Sequence, residues 1–206
     1  MGKLRFYYGA MNSLKTGTLL TKVYQFEQCG CNTILLKPSF DSRDYGVIKS
    51  RAISDTRECI LIHPKDETQM YDAIYCRLSK EKKNVVFVDE VNFISKSHIS
   101  MLWEISRKFD IDVFAYGLKT NYKNELFEAS QELFILADTV EEIKSMCSCC
   151  HNKATTHLRY IDGVPTFNGE NFVVGDVDTE SREWYTSVCQ ECWHKVYHES
   201  QQADMD

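Results

Sequence analysis

Short apolar runs alternate with longer amphipathic segments over roughly the first 140 residues of the chain. The run Val85–Val88 is apolar at every position, which is typical of a central parallel strand covered on both faces. Runs of this kind predict six strands in this part of the chain. They are Leu4–Tyr8, Thr33–Lys37, Cys59–Ile62, Val85–Val88, Val113–Tyr116 and Leu133–Leu136.

Three segments between these runs have the apolar periodicity of helices. Thr16–Gln28 is followed by Gly30, a residue that favours helix termination, and both Glu67–Lys80 and Ser97–Phe109 are amphipathic. Alternation of strands and helices predicts βαβ units. The fold class that we predict is therefore α/β, with a parallel sheet that has helices on both faces.

The pattern changes after about residue 146, where cysteines cluster and long helical periodicity is missing until the last fifteen residues or so. Residues 160–181 are predicted to form an irregular loop or hairpin. We therefore divide the chain into an α/β domain at 1–145, a small metal-binding subdomain at 146–200 and a disordered tail at 201–206.

Charge and composition narrow the function. The net charge of −6 argues against binding along a nucleic-acid backbone, which requires a basic surface, but a small phosphorylated ligand needs only a few local cations. No run of eighteen apolar residues predicts a membrane span, and the first residues lack the apolar core of a signal peptide. The odd number of nine cysteines argues against a secreted disulfide framework, so a cytoplasmic location with reduced thiols is expected.

A candidate phosphate-binding loop follows the first predicted strand and precedes the first predicted helix. The pattern G-x-x-x-x-G-K-[ST] is matched by Gly9, Lys15 and Thr16, whereas Leu14 stands at the position of the second glycine. In such a loop, backbone N–H groups bind phosphates, the lysine contacts the β- and γ-phosphates, and the threonine binds Mg²⁺. A chance strand–turn–helix with a solvated lysine is the alternative for these eight residues alone.

Two carboxylates strengthen the phosphate-binding interpretation. Asp89 and Glu90 follow the apolar strand Val85–Val88, and the carboxyl end of a parallel strand beside a phosphate loop suits a carboxylate that organises Mg²⁺. Glu90 is then a candidate general base for an attacking hydroxyl. An isolated acidic pair after a strand more often complements a helix dipole.

Two Cys-x-x-Cys pairs in the last third of the chain predict a structural zinc site. The proposed ligands are Cys147, Cys150, Cys189 and Cys192, four thiolates that leave no open position for catalysis. The 38 residues between the pairs exceed the usual spacing, and an inserted loop explains this. Cys149 is an alternative ligand, and scattered buried thiols are the other interpretation.

These motifs together resemble the type II thymidine kinases, a family with a phosphate loop and a zinc-anchored lasso. The resemblance covers nearly the whole chain, through the residues around the phosphate loop, the acidic pair and the cysteine pairs. Further matches are Lys37, Pro38, Asp41, Ser42, Arg43, Ser50, Arg51, Val91, Asn92, Phe93, Tyr116, Gly117, Leu118, Lys119, Thr120, Asn121, Tyr122, Phe127, Ser130, Ala154, Arg159, Gly175, Tyr185, Ser187 and Val188.

The resemblance implies a P-loop, RecA-like sheet and roles for particular residues. It implies Glu90 as the catalytic base on the 5′-hydroxyl of thymidine, with Mg²⁺–ATP as donor and a structural Zn²⁺. ATP and Mg²⁺ are then bound by Gly9, Ala10, Met11, Asn12, Ser13, Leu14, Lys15, Thr16, Asp41, Arg43, Asp89 and Asn92. Thymidine is bound by Met11, Phe93, Leu118, Tyr122, Phe127, Asn171, Phe172, Val173, Val174, Gly175 and Tyr185.

The resemblance also implies a homotetramer and feedback inhibition by dTTP. Several positions depart from the family pattern: Leu14 replaces a glycine, Asn92 a glutamine and Tyr122 a phenylalanine. Weaker ATP binding, or a slightly shifted loop, is expected from Leu14, since a glycine permits closer approach to phosphate. The alternatives are a kinase with a shifted pyrimidine preference and a decayed ATPase-like protein whose zinc ribbon binds nucleic acid or protein.

Overall fold

A six-stranded parallel sheet forms the centre of the larger domain. A computed structural model describes residues 1–39, 46–169 and 183–203. In chain order its strands are β1 (Leu4–Tyr8), β2 (Asn32–Pro38), β3 (Val47–Lys49), β4 (Thr56–Glu58), β5 (Ile60–Ile62), β6 (Asn84–Val88), β7 (Asp112–Gly117), β8 (Thr139–Glu142), β9 (Thr156–Ile161), β10 (Val164–Pro165) and β11 (Glu183–Val188). Its helices are α1 (Lys15–Gln28), α2 (Glu67–Tyr75), α3 (Lys96–Lys108), α4 (Glu128–Leu136) and α5 (Gln190–Ala203).

The order of strands in the central sheet is β5-β2-β6-β7-β1-β8, and every neighbouring pair is parallel. One strand, β7, therefore separates β1 from β6. Parallel strands place their carboxyl ends at the same edge. The loop after β1 and the acidic residues after β6 consequently lie at one edge of the sheet.

Two separate apolar cores cover the two faces of this sheet. On one face, α1 contributes Leu19, Leu20 and Val23, which pack against strand residues such as Phe87. On the other face, side chains of α2, α3 and α4 pack together with Val86 and their other strand neighbours. The predicted α/β class with helices on both faces is confirmed, and the fully buried β6 explains its continuous apolar run.

Five of the six predicted strands are present, and their bounds agree within one residue. The prediction of a strand at Leu133–Leu136 is wrong, because this run is the last turn of α4. A four-residue apolar run does not distinguish a strand from a helix, and here Leu133 is buried while Phe134 and Ile135 are exposed. The sixth strand is instead the edge strand β8, whose sequence is polar.

Two predictions about helix ends also need correction. Helix α2 ends at Tyr75 and not at Lys80, because the polar segment after it is folded onto Asn84, whose side chain accepts a hydrogen bond from the Ser79 amide. Helix α5 continues to Ala203, so the first three residues of the predicted tail are helical.

The smaller subdomain contains a three-stranded antiparallel sheet, with the order β10-β9-β11, and helix α5. Its core includes Cys147, Leu158, Val188 and Cys189. The predicted hairpin at 160–181 is present as β9 and β10 as far as Gly169, and the rest of that range lies outside the described residues. Within the described ranges, no helix is long and apolar enough to cross a membrane.

Candidate functional site

The predicted phosphate loop connects β1 to α1 and contains two residues with left-handed backbone. Asn12 has φ 58° and Leu14 has φ 65°. The loop begins at Gly9, where a Cβ atom would lie 2.4 Å from Ser13 Oγ and 2.5 Å from the Ile143 carbonyl oxygen. Only glycine fits at this first position. Leu14, at the position of the missing second glycine, keeps the left-handed conformation but exposes 57% of its surface.

Lys15 is buried at the N-terminus of α1. Its Nζ donates a hydrogen bond to the Ala10 carbonyl oxygen at 2.9 Å, within the loop itself. Burial lowers the pKa of Lys15, and the negative charges of Glu90 and Asp89 partly offset this effect. The lysine is therefore held over the loop, beside both carboxylates.

Thr16 and Asp89 join the loop to the end of β6. The Thr16 hydroxyl donates to Asp89 Oδ2 at 3.1 Å, and Asp89 is buried. Burial is the main reason why the pKa of Asp89 rises to about 7, and the charge of Glu90 adds to it, while Thr16, Lys37 and Lys15 act in the opposite direction. A hydroxyl and a buried carboxylate in contact offer the oxygen ligands that Mg²⁺ prefers.

Glu90 is half-buried and has a left-handed backbone, with φ 50° and ψ 40°. It precedes a 3-10 turn at Val91–Phe93, so the extended backbone of β6 does not continue beyond Asp89. A glutamate rarely adopts this left-handed conformation except where the surrounding structure requires it. The charge of Glu90 acts on both Asp89 and Lys15.

Asn92 contacts the end of β7 through its side chain. Its Oδ1 accepts a hydrogen bond from the Leu118 amide at 2.8 Å, and a Cβ at Gly117 would lie 2.6 Å from that oxygen. Its buried Nδ2 makes no hydrogen bond with the described residues. This amide nitrogen can donate a hydrogen bond to ATP, whereas Mg²⁺ takes oxygen ligands.

Four of the predicted thymine-pocket residues form two aromatic pairs. Phe93 and Phe127 pack edge to face at 5.6 Å between ring centroids, and Tyr122 and Tyr185 do so at 6.3 Å. Leu118 is buried and Met11 is half-buried. The structure therefore pairs residues of the larger domain with Tyr185 of the subdomain.

The hydroxyl that distinguishes Tyr122 from phenylalanine is used inside the protein. It accepts from Arg159 Nη1 at 3.3 Å and donates to the Asn168 carbonyl oxygen at 3.2 Å. Arg159 is itself paired through two hydrogen bonds with Glu183, which also accepts from the Tyr185 hydroxyl. This network joins the aromatic pair to β9 and β11.

Some predicted site residues lie outside the described ranges. These are Asp41 and Arg43 of the predicted ATP site and Asn171, Phe172, Val173, Val174 and Gly175 of the predicted lasso.

The four predicted zinc ligands converge. The sulfur atoms of Cys147, Cys150, Cys189 and Cys192 all lie within 4.8 Å of one another. Thiolates bound to a tetrahedral Zn²⁺ at about 2.3 Å lie about 3.8 Å apart, so this arrangement fits the ion. Cys149 is exposed and is not part of the group. The spacing argument thus selected the right four sulfurs for one metal-binding cluster.

Two residues that the sequence did not single out for the phosphate loop bind Met11. His157 Nε2 accepts from the Met11 amide at 2.8 Å, and the Ser187 hydroxyl donates to the Met11 carbonyl oxygen at 2.6 Å. Burial, together with the charges of Lys15 and Lys119, lowers the pKa of His157 to about 3, so the ring is neutral and able to accept. A histidine within a strand of mixed polarity gives no sequence signal for this contact.

Comparison with known proteins gives one consistent family. A sequence model described as thymidine kinase matches residues 2–193. A thymidine kinase of Enterococcus faecalis is 39% identical over 92% of this chain and 93% of its own length, and one of Streptococcus gordonii is 35% identical over 95% and 97%. Among solved structures, the Thermotoga maritima RuvB Holliday junction branch migration motor is similar with a TM-score of 0.39 and 12% identity, over 69% of this chain and 37% of the motor chain.

Proposed function

The chain belongs to the thymidine kinase family, and from this membership we infer that it transfers the terminal phosphate of ATP to the 5′-hydroxyl of thymidine. The structural observation that carries the inference is the hydrogen bond between Thr16 and Asp89. It joins a loop built to bind phosphate to a buried carboxylate. A decayed ATP site would not be expected to retain both groups in contact together with Lys15.

Binding of the triphosphate is assigned to the loop Gly9–Thr16. The first N–H groups of an α-helix have no intrahelical partner, so those at the start of α1 can bind phosphate, and Lys15 supplies a positive charge beside them. Mg²⁺, when bound with ATP, neutralises charge on the phosphates. Thr16 and Asp89 are the protein oxygens proposed to hold it, and Asn92 Nδ2 is a further donor for the nucleotide. Asp41 and Arg43 are proposed to lie beside the nucleotide.

Glu90 is proposed as the general base. Its half-buried position directly after Asp89 supports this role, because its charge acts on both Asp89 and Lys15 at the phosphate loop. Glu90 would accept the proton of the 5′-hydroxyl as the oxygen attacks the γ-phosphorus, and ADP would leave from the opposite side. Since phosphoryl transfer depends mainly on positioning and electrostatics, the remaining residues act by orienting the two substrates.

The base is proposed to lie among Met11, Phe93, Leu118, Tyr122 and Phe127. The aromatic rings of these residues support the proposal, because a pyrimidine ring packs favourably against aromatic side chains. Tyr185 and the lasso residues Asn171–Gly175 are proposed to cover the base and read its polar edge through backbone groups. Zn²⁺ at the four cysteines would fix the two ends of this segment.

Assembly and regulation follow the family expectation and are proposals for this chain. They comprise a homotetramer, feedback inhibition by dTTP and a cytoplasmic location, the last consistent with nine cysteines that form no disulfide. Light scattering of the purified protein tests the homotetramer, and a phosphorylation assay with and without dTTP tests the inhibition. A monomer that dTTP does not inhibit would contradict them without affecting the kinase assignment.

The activity is tested by transfer of labelled γ-phosphate to a panel of thymidine, deoxyuridine and the remaining deoxynucleosides. Thymidine is expected to be the best acceptor. The internal use of the Tyr122 hydroxyl supports an unaltered pocket, because this group does not remain available to select a different base. A better result with deoxyuridine would establish a shifted preference.

Failure of transfer to every nucleoside would remove the kinase proposal. Binding of the same preparation to single-stranded DNA is measured in parallel. Tight, salt-sensitive DNA binding without phosphorylation would favour the decayed, ligand-binding alternative.

A further inference from the structure

We propose that His157 and Ser187 are positioning residues for the phosphate loop, acting through the two backbone polar groups of Met11. The proposal rests on the kinase function inferred above and extends it to the zinc-binding subdomain. Neither residue is expected to touch the reacting atoms. Their effect would be to hold the loop in the conformation that binds ATP.

The geometry consists of two hydrogen bonds to one loop residue. Met11 donates its amide proton to His157 and accepts a proton from the Ser187 hydroxyl, at 2.8 and 2.6 Å. His157 and Ser187 are direct partners in the antiparallel pairing of β9 with β11. A single cross-strand pair therefore contacts the N–H and the C=O of the same residue.

Both side chains are buried, so neither bond is weakened by competing water. His157 is 3% exposed and Ser187 is 6% exposed. Because His157 accepts through Nε2, its proton is on Nδ1, and the two strand residues offer Met11 one acceptor and one donor. Only one orientation of the peptide groups on either side of Met11 satisfies both partners.

The loop needs such support because of its own backbone. Asn12 and Leu14 are left-handed, and this conformation is unfavourable for a leucine. Without an external constraint, the ATP-free loop would populate other conformations, and ATP would bind more weakly. Contacts at Met11, directly before Asn12, restrict the loop at the point where its irregular backbone begins.

Direction of the Met11 amide provides a second argument. Since this N–H points to His157 and the Ser13 N–H donates to the Ala10 carbonyl oxygen at 3.3 Å, neither is available for phosphate. The amides at the start of α1 are left for that purpose. Lys15 also lies close enough for its charge to influence His157. The contact is thus part of the surroundings of the phosphate site and is not a remote packing interaction.

The test uses His157→Leu, which keeps the burial and removes the acceptor, and His157→Gln, whose amide oxygen can accept in place of Nε2. Ser187→Ala removes the other bond and Ser187→Thr retains it. Thr156→Val is the matched control, since this neighbouring β9 hydroxyl is buried without a partner among the described residues. Each variant is purified with its zinc, and metal content is measured.

Three measurements are made on each variant: kcat and KM for ATP, the Kd of a non-hydrolysable ATP analogue, and amide hydrogen exchange of the peptide that contains residues 9–14. For His157→Leu we expect KM and Kd to rise about tenfold, with kcat within about twofold, because loop positioning affects ATP binding before chemistry. Exchange in the loop peptide should accelerate. His157→Gln and Ser187→Thr should return these values to within about threefold of the original protein.

Unchanged ATP affinity and unchanged loop exchange in both His157→Leu and Ser187→Ala would overturn the proposal. Equal impairment by His157→Leu and His157→Gln, or by Thr156→Val, would assign the effect to packing and also overturn it. If His157→Leu does not fold, the comparison of Ser187→Ala with Ser187→Thr tests the proposal by the same measurements. Absence of thymidine phosphorylation by the original protein would remove the kinase function alone, because analogue binding and exchange do not depend on the acceptor.

Discussion

The hydroxyl of Thr16, in the first turn of α1, donates at 3.1 Å to the carboxylate of Asp89, which directly follows β6. This contact joins two segments that are 73 residues apart in sequence. Asp89 is buried and lies beside a second carboxylate, Glu90, and both effects raise its pKa. The stability of the protein should therefore depend on pH.

Asp89→Asn should stabilise the ATP-free protein at alkaline pH while reducing activity. The pKa of Asp89 is about 7 in the folded chain and ordinarily 3.8, so the folded state binds the extra proton between these values. Stability contributed by this proton is complete below about pH 4 and is lost as the pH rises through 7. Between pH 5 and 8 the original protein should lose roughly 1–3 kcal/mol relative to Asp89→Asn in urea unfolding.

Activity should move in the opposite direction, because the variant lacks the carboxylate assigned to Mg²⁺. A loss of about a hundredfold or more in kcat/KM is expected. Parallel pH curves for the two proteins would show that Asp89 does not carry the shifted pKa.

Glu90→Gln should reduce kcat by about 10²–10⁴-fold, because the amide cannot accept the proton of the 5′-hydroxyl. ATP affinity should remain within a few-fold, since the phosphate loop is intact. Glu104→Gln is the control, an exposed glutamate on α3. Turnover by Glu90→Gln close to that of this control would exclude Glu90 as the base.

Leu14→Gly should increase affinity for ATP several-fold. Glycine adopts left-handed backbone freely, whereas leucine at φ 65° is disfavoured by about 1 kcal/mol. Leu14→Ala is the informative control, because it removes the exposed side chain but retains Cβ. Calorimetry with an ATP analogue should give improvement for glycine only, and equal affinities for leucine and glycine would contradict the expected role of this position.

Metal content should distinguish Cys150 from Cys149. Cys150→Ser removes one of four converging ligands, so we expect loss of zinc and a lower melting temperature. ATP binding should also weaken, because β9 follows the first cysteine pair, β11 precedes the second, and these two strands carry the contacts to Met11. Cys149→Ser should retain one zinc per chain. Zinc retained by Cys150→Ser but lost from Cys149→Ser would reverse the ligand assignment.

His157 should make the protein less stable at mildly acidic pH. Its pKa of about 3 lies below the ordinary value of 6.5, so the unfolded chain binds the proton first. Its contribution is complete above about pH 6.5 and is lost as the pH falls toward 3. From pH 8 to 5.5 the original protein should lose about 1 kcal/mol relative to His157→Gln. If the two proteins show the same pH dependence of stability, the pKa of His157 is not lowered in the folded state, and this prediction is wrong.

Local patterns predicted the sheet well where burial was uniform. The continuous apolar run Val85–Val88 indicated a central strand, and the order of Lys15, Asp89 and Glu90 along the chain indicated a phosphate site. Four residues ending at Leu136 were too few to distinguish a strand from a helix. The polar edge strand β8 had no apolar alternation to reveal it.

The contacts of Met11 were beyond prediction for a different reason. They depend on the pairing of His157 with Ser187, two residues in separate strands that meet only after the subdomain has formed. Cysteine spacing, by contrast, is a local signal with a chemical cause, since a short turn between two cysteines lets both thiolates reach one zinc ion. The sequence therefore indicated the metal cluster but not the contact that joins its subdomain to the phosphate loop.

The two bonds to Met11 also bear on the order in which the site can mature. His157 lies 146 residues after Met11, and Ser187 lies 176 residues after it. The loop therefore leaves the ribosome long before either partner is synthesised. Contacts of such large sequence separation form late, because the intervening chain must first be ordered. A nascent chain that ends before β11 should therefore capture immobilised ATP poorly, even with its phosphate loop fully synthesised, and competence should arise only after the last strand emerges.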